Sequence, residues 1–154
     1  MLFLQFSVDN TRYVLATGAI IEVVPLVPLQ KQPNAPAYIA GLMNYRGRSL
    51  PVIDVSQLFA GYDSVLRLSS RIVVVKLTLS DGAVRDIGLL LEKATEILKL
   101  EESEFTEPGL ENPHTPYLGK VAMDGQGMLQ RLSPENMLSV MDAELLFRAP
   151  AGGR

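Results

Sequence analysis

Three short polar turns, Asp9-Asn10, Asp81-Gly82 and Asp124-Gly125, each divide two β-prone runs, and they constrain the fold more than any other feature of the chain. Asn, Asp and Gly accept the left-handed backbone angles that tight hairpins need. The spacing predicts hairpins pairing residues 2–8 with 12–16, 71–79 with 84–92, and 118–123 with 127–132. Predicted helix is minor: turns near Ala19 and at 38–40, a short piece at 56–59, and a final helix from Pro134 to about residue 147. Ser133 is the expected N-cap of that helix and Pro134 its first position, where a missing N–H costs nothing. Met137, Leu138, Met141, Leu145 and Leu146 recur near helical period and are expected to bury one face. The pattern is all-β with minor helix.

Composition narrows the function classes. A chain of 154 residues, 47% hydrophobic, can bury most of its surface as one domain or two fused small ones. A formal net charge of −3 offers no broad footprint for nucleic acid or anionic lipid. Without cysteine there is no disulfide framework, thiolate cage or thiol nucleophile, which fits a reducing cytoplasm. The opening residues 1–8 lack a basic leader and alternate apolar with polar, so they read as a first strand rather than an export signal. Glu22, Pro25 and Pro28 interrupt the longest greasy stretch well short of the ~20 apolar residues a spanning helix requires. No membrane insertion is expected.

Residues 61–70 are polar and weakly patterned, and they read as a link between approximate halves 1–65 and 66–148 of a single domain 1–148. Residues 101–116 carry five glutamates and three prolines with no lysine or arginine, and read as a solvated connector. The tail 149–154 has nothing to pack and is expected to be disordered. His114, the only histidine, lies among Asn112, Pro113 and Pro116 and reads as a loop residue. No serine sits in a nucleophile elbow and no glycine run opens a helix as a phosphate cradle. The acidic loop lacks the spacing and central glycine of an EF-hand. No enzymatic activity, metal or cofactor is expected.

The stretch 41–54, GLMNYRGRSLPVID, joins two strand-like runs through an Asn44-Tyr45-Arg46-Gly47 turn. Gly47 supplies the positive φ of a tight turn, and Pro51 is tolerable only at a strand's start, edge or bulge. Arg46 is thereby pushed to a tip, where a bulky cation has little structural work of its own. Glu22, flanked by Ile20, Ile21, Val23 and Val24, reads either as a surface strand position with its alternate neighbours inside or as an acidic contact at an apolar lip. Ile20, Ile72, Gly41 and Gly88 read as core and close-approach residues on pattern alone.

The same stretch resembles the CheW-like coupling proteins of bacterial chemosensory systems. Their pattern runs Gly, apolar pair, Asn, variable, Arg, Gly, two or three variable, Pro, apolar pair, Asp, and every fixed position is met. The likeness continues through Tyr13-Val14-Leu15, Ala19-Ile20-Ile21-Glu22-Val23, Arg71-Ile72-Val73-Val74-Val75, Gly88-Leu89-Leu90-Leu91-Glu92, Glu96-Ile97-Leu98, Tyr117-Leu118-Gly119 and Ser133-Pro134-Glu135. It implies two fused five-stranded SH3-like barrels sharing an apolar core and capped by the C-terminal helix, an architecture whose closure hides strand edges. It also implies a non-enzymatic cytoplasmic adaptor that couples the cytoplasmic tip of a methyl-accepting chemoreceptor to the regulatory domain of a CheA-type histidine kinase. The implied partner-binding positions are Ile20, Glu22, Gly41, Asn44, Arg46, Gly47, Ile72 and Gly88, around a groove between the barrels.

Residues 128–132 are more polar than that family's last strand, Ser133 replaces its usual aspartate, and Ala94 and Thr95 are slighter than usual. The polar strand either exposes a face or meets a partner. The competing class is a small-barrel nucleic-acid or ligand-binding protein. It would need a basic, aromatic-studded face, and only Arg46 and Arg48 cluster within the motif.

Overall fold

The computed structural model describes residues 1–79 and 81–141. Its strands are β1 (Leu2–Val8), β2 (Thr11–Ala16), β3 (Ile20–Pro25), β4 (Ile39–Tyr45), β5 (Arg48–Asp54), β6 (Arg71–Thr78), β7 (Val84–Lys99), β8 (Leu118–Asp124) and β9 (Gly127–Leu132). One short helix, α1 (Val55–Ala60), follows β5. All three expected hairpins form, and the first is turned by Asp9 and Asn10 at φ 50° and 65°. These turns are local devices, which is why the order of neighbouring residues exposes them.

Two five-stranded groups share β7. Its first part lies in the path β3-β6-β7-β5-β4, and its second part lies in the path β7-β1-β2-β9-β8. Both have the same layout, with one parallel pair each, β5 with β7 and β2 with β9. The strand groups cut across the expected halves 1–65 and 66–148, because β1 and β2 pair with the C-terminal strands. Sixteen residues of β7 carry the chain from one group to the other, and Lys93 at φ 52° marks the kink between them.

Among the described residues neither group closes by a full strand ladder, as complete barrels would. Instead, the chain leaving one terminal strand turns back and makes a single two-bond bridge to the other. Gln30, beyond β3, exchanges both backbone hydrogen bonds with Leu42 of β4, at 2.9 and 2.8 Å. Thr106, beyond β7, does the same with Val121 of β8, at 2.8 and 2.9 Å. The groups are barrel-like, each with one edge closed by one residue.

Three apolar clusters follow from this. Met43, Tyr45, Leu50, Val52, Ile72, Val74 and Leu90 fill the first group, and Phe3, Val14, Leu100, Phe105 and Leu129 fill the second. The largest cluster lies where the groups meet, with Phe6, Leu15, Val73, Leu77, Leu89, Leu132 and Met137. Burial on both faces explains why β6 reads as a continuous Ile-Val-Val-Val run.

Some expected helix is absent. Residues 39 and 40 belong to β4, and only a single turn precedes them, Ile39 N–H donating to Pro36 at 2.9 Å. Pro134–Ser139 is a 3-10 helix whose Ser133 makes no side-chain cap; Ser133 N–H donates instead to Tyr117 O at 2.8 Å. Met137 and Met141 are buried as expected, while residues 142–147 and the tail lie outside the described residues. α1 is capped by Asp54, which accepts from Gln57 N–H, and ends on left-handed Gly61. The buried Asp54 carboxylate also accepts from Ser64 N–H and Oγ at 2.9 and 2.6 Å, which pins the 61–70 link to the first group.

Candidate interaction site

The β4–β5 connection is a two-residue turn. Arg46 and Gly47 have φ of 53° and 84°, the paired positive values of a type I′ hairpin, whose twist matches its strands. Gly47 adopts this freely; for Arg46 it is a strained state. Asn44 locks the turn, its Oδ1 accepting from Gly47 N–H at 3.0 Å.

The turn does not present a free arginine. Glu22 Oε1 on β3 accepts from Arg46 Nη2 at 2.6 Å and from Tyr45 Oη at 2.7 Å. The Tyr45 ring is buried with Ile72 and Leu50, and its hydroxyl pKa is raised, first because it donates to Glu22 and then because it is buried. The Arg46 guanidinium carbon sits 5.2 Å from the ring centroid, within cation–π range. Arg46 therefore has structural work, contrary to the expectation from its turn: it helps tie β3 to β4.

Glu22 is placed by an irregularity. The ladder of β3 with β6 slips between Ile20 and Glu22, so Glu22 and Val24 turn toward the interior side while Ile21 and Val23 are exposed. This reverses the alternation expected for a surface glutamate.

The eight candidate positions divide between surface and interior. Glu22, Asn44, Arg46 and Gly47 meet at the turn. Ile20 is half-buried against the central cluster. Ile72 is fully buried, hence a core residue with no surface for a partner. Gly88 is buried between strands; a Cβ there would lie 2.9 Å from Ile72 Cγ2 and 3.1 Å from Val52 Cγ2. Gly41, at φ +148°, would place a Cβ 2.7 Å from Gln30 O, so its lack of a side chain permits the bridge that closes the first group. Ile72 and Gly88 thus lie in the interior of the first group, and Gly41 at its closing edge.

Sequence reasoning missed Tyr45 and the pair Arg48–Asp86, 3.2 Å apart. Period-two alternation from Gly41 through Met43 to Tyr45 could have flagged the tyrosine as inward. The polar last strand is explained internally: Leu129 and Leu132 are buried, Gln130 donates to Gly119 O at 3.0 Å, and Arg131 lies 5.1 and 5.5 Å from the Phe3 and Phe105 centroids while pairing with Glu102 at 2.8 Å.

In the acidic connector, Glu101–Glu104 forms a capping box around a 3-10 turn, and exposed His114 donates its backbone N–H to Asn112 Oδ1 at 2.9 Å. Among the described residues no helix is long and apolar enough to cross a membrane.

The chain is similar to known proteins over most of its length. A family model described as the CheW-like domain matches residues 2–149. The chain is 27% identical over 102 residues to a chemotaxis protein CheW of Rhizobium meliloti (strain 1021), covering 66% of this chain and 63% of that protein. It is 21% identical over 103 residues to a CheW of Helicobacter pylori, covering 67% and 59%. These two matches thus span about three fifths of the relatives' lengths. A CheW of Klebsiella aerogenes is 26% identical over 147 residues, covering 94% and 85%. The crystal structure of the scaffolding protein TtCheW from Thermoanaerobacter tengcongensis has the same fold, with a TM-score of 0.74 at 24% identity, covering 99% of this chain and 90% of that one.

Proposed function

This chain belongs to the CheW-like domain family, and on that premise we propose that it is a non-enzymatic cytoplasmic adaptor in a bacterial chemosensory complex. It couples the cytoplasmic tip of a methyl-accepting chemoreceptor to the regulatory domain of a CheA-type histidine kinase, with residues 1–148 acting as one domain. The observation that carries this reading is the rigid turn: Asn44 and Gly47 fix its backbone, and Glu22 and Tyr45 hold Arg46 from below. A contact group held in one geometry loses little entropy on binding. Ile20 borders the partner-facing surface, and Gly41, Ile72 and Gly88 act indirectly by setting its position.

The mechanism is geometric. Two strand groups locked through one apolar core form a body that can hold two partners at a fixed relation. Weak contacts then add through effective concentration when many copies cluster. The decisive experiment is affinity capture with the full chain from an extract of its native cells, followed by identification of what binds. Recovery of both a chemoreceptor and a histidine kinase is expected, and recovery of neither would overturn the proposal.

A further inference from the structure

A second arginine stands beside Arg46. Arg48 lies directly across the ladder from Tyr45, and its guanidinium carbon is 6.0 Å from that ring's centroid, against 5.2 Å for Arg46. Arg48 Nη2 donates to Asp86 Oδ2 at 3.2 Å, as Arg46 Nη2 donates to Glu22. One tyrosine ring thus holds two guanidiniums, each anchored through one nitrogen.

The pairs are layered. The arginine side chains are 72% and 66% exposed, whereas their carboxylate partners are 34% and 18% exposed. The face turned to solvent is therefore cationic, with the acids beneath it. Lys76, across the ladder from Asp86, adds to the positive balance. A guanidinium carries five N–H donors in a fixed fork, so one anchoring bond leaves donors on both arginines for an incoming group. Asn44 and Ser49 border a cavity of about 240 Å³ next to Arg48, with Leu42 and Gln30 on its wall.

We propose that Arg46 and Arg48 form a two-guanidinium clamp for an acidic partner segment bearing at least two carboxylates, and that Arg48 determines which partner is accepted. Two guanidiniums against one aromatic ring present their free donors side by side, which suits a segment carrying more than one carboxylate. Bidentate, charge-assisted bonds reward that match and reject a neutral or basic segment. This rests on the adaptor reading, in which the partner is a receptor tip.

The test is calorimetric titration of the full chain with the soluble cytoplasmic fragment of a chemoreceptor from the same cells. Arg48→Ala is expected to weaken binding about tenfold and to flatten its salt dependence, with Arg48→Lys recovering only part. Asp86→Asn breaks the internal pair yet keeps the guanidinium, so it is expected to bind at least as tightly as wild type. Equal weakening by Asp86→Asn and Arg48→Ala would overturn the clamp, because it would show that the ion pair acts by holding the hairpin. Wild-type binding undiminished by Arg48→Ala would overturn the clamp alone. No binding by wild type would overturn the adaptor reading and the clamp with it. Melting curves for each variant separate lost contact from lost fold.

Discussion

Glu22 on β3 and Arg46 on the β4–β5 turn are joined at 2.6 Å between two strands that share no ladder. β3 pairs with β6 and β4 with β5, so this carboxylate spans the open edge of the first strand group. Gln30 closes the same edge through the backbone. The same Glu22 oxygen takes the Tyr45 hydroxyl, whose ring is rooted in the core.

Stability should depend on the buried member of that triad more than on the exposed one. Tyr45→Phe removes a hydrogen bond to a charged acceptor from a buried ring and is expected to cost about 1.5 kcal/mol. Arg46→Ala removes a pair that is mostly solvated on the arginine side, worth about 0–1 kcal/mol. Urea unfolding of both variants checks the order, and a larger loss from Arg46→Ala would refute it.

The backbone at Arg46 gives a separable effect. Alanine and glycine both delete the guanidinium, but only glycine accepts φ 53° without strain. Arg46→Gly should therefore be more stable than Arg46→Ala by about 1 kcal/mol, while both lose partner contact equally. Equal melting temperatures would show that the turn relaxes when the side chain is removed.

What the sequence discloses and what it hides divides along contact range. The three Asp-led hairpins and the Asn44–Gly47 turn are written in neighbouring residues, because left-handed angles admit few residue types. The joining of chain ends is not: β2 meets β9 through only Tyr13 with Gln130 and Val14 with Arg131, and nothing local marks either segment. Glu22 was legible as a candidate, but its partner was not, since the slip at Ile21 decides which way its side chain points. Ile72 read as core on pattern, and its complete burial shows that the pattern was the better guide to that residue. The resemblance groups positions that the structure divides between an exposed turn and the buried interior.

Gly88 and Ile72 should behave as one packing unit. Gly88→Ala places a methyl 2.9 Å from Ile72 Cγ2 in a region without free volume, an overpacking expected to cost about 1–3 kcal/mol. Ile72→Leu deletes the Cγ2 branch that the new methyl meets, so the double variant should recover part of the loss. A double-mutant cycle in urea reads this coupling directly. Additive losses would mean that Val52, not Ile72, receives the strain. Ile72→Asp should abolish folding rather than merely weaken binding, since it buries an unpaired charge.

Acid stability should depend on Asp124, which is held by Arg12 at 2.5 Å with side chains 27% and 14% exposed. The Arg12 hydrogen bond, together with the Gln126 backbone N–H, lowers the Asp124 pKa from 3.8 to about 2. A carboxylate whose pKa is lower folded than unfolded binds more protons in the unfolded state across that interval. Its stabilisation is therefore complete above the unfolded value and drains away as pH falls toward the folded one. Wild type should lose roughly 1–2 kcal/mol between pH ~5 and ~2 from this group alone, allowing for partial solvent screening. Asp124→Asn keeps the shape of the β8–β9 turn but cannot titrate, so its stability should fall less steeply over the same range. It should also start lower at neutral pH, because Arg12 then loses its hydrogen-bonded countercharge. Denaturation measured at a series of pH values for the two proteins is the check, and parallel curves would show that the Arg12–Asp124 bond contributes nothing to acid sensitivity.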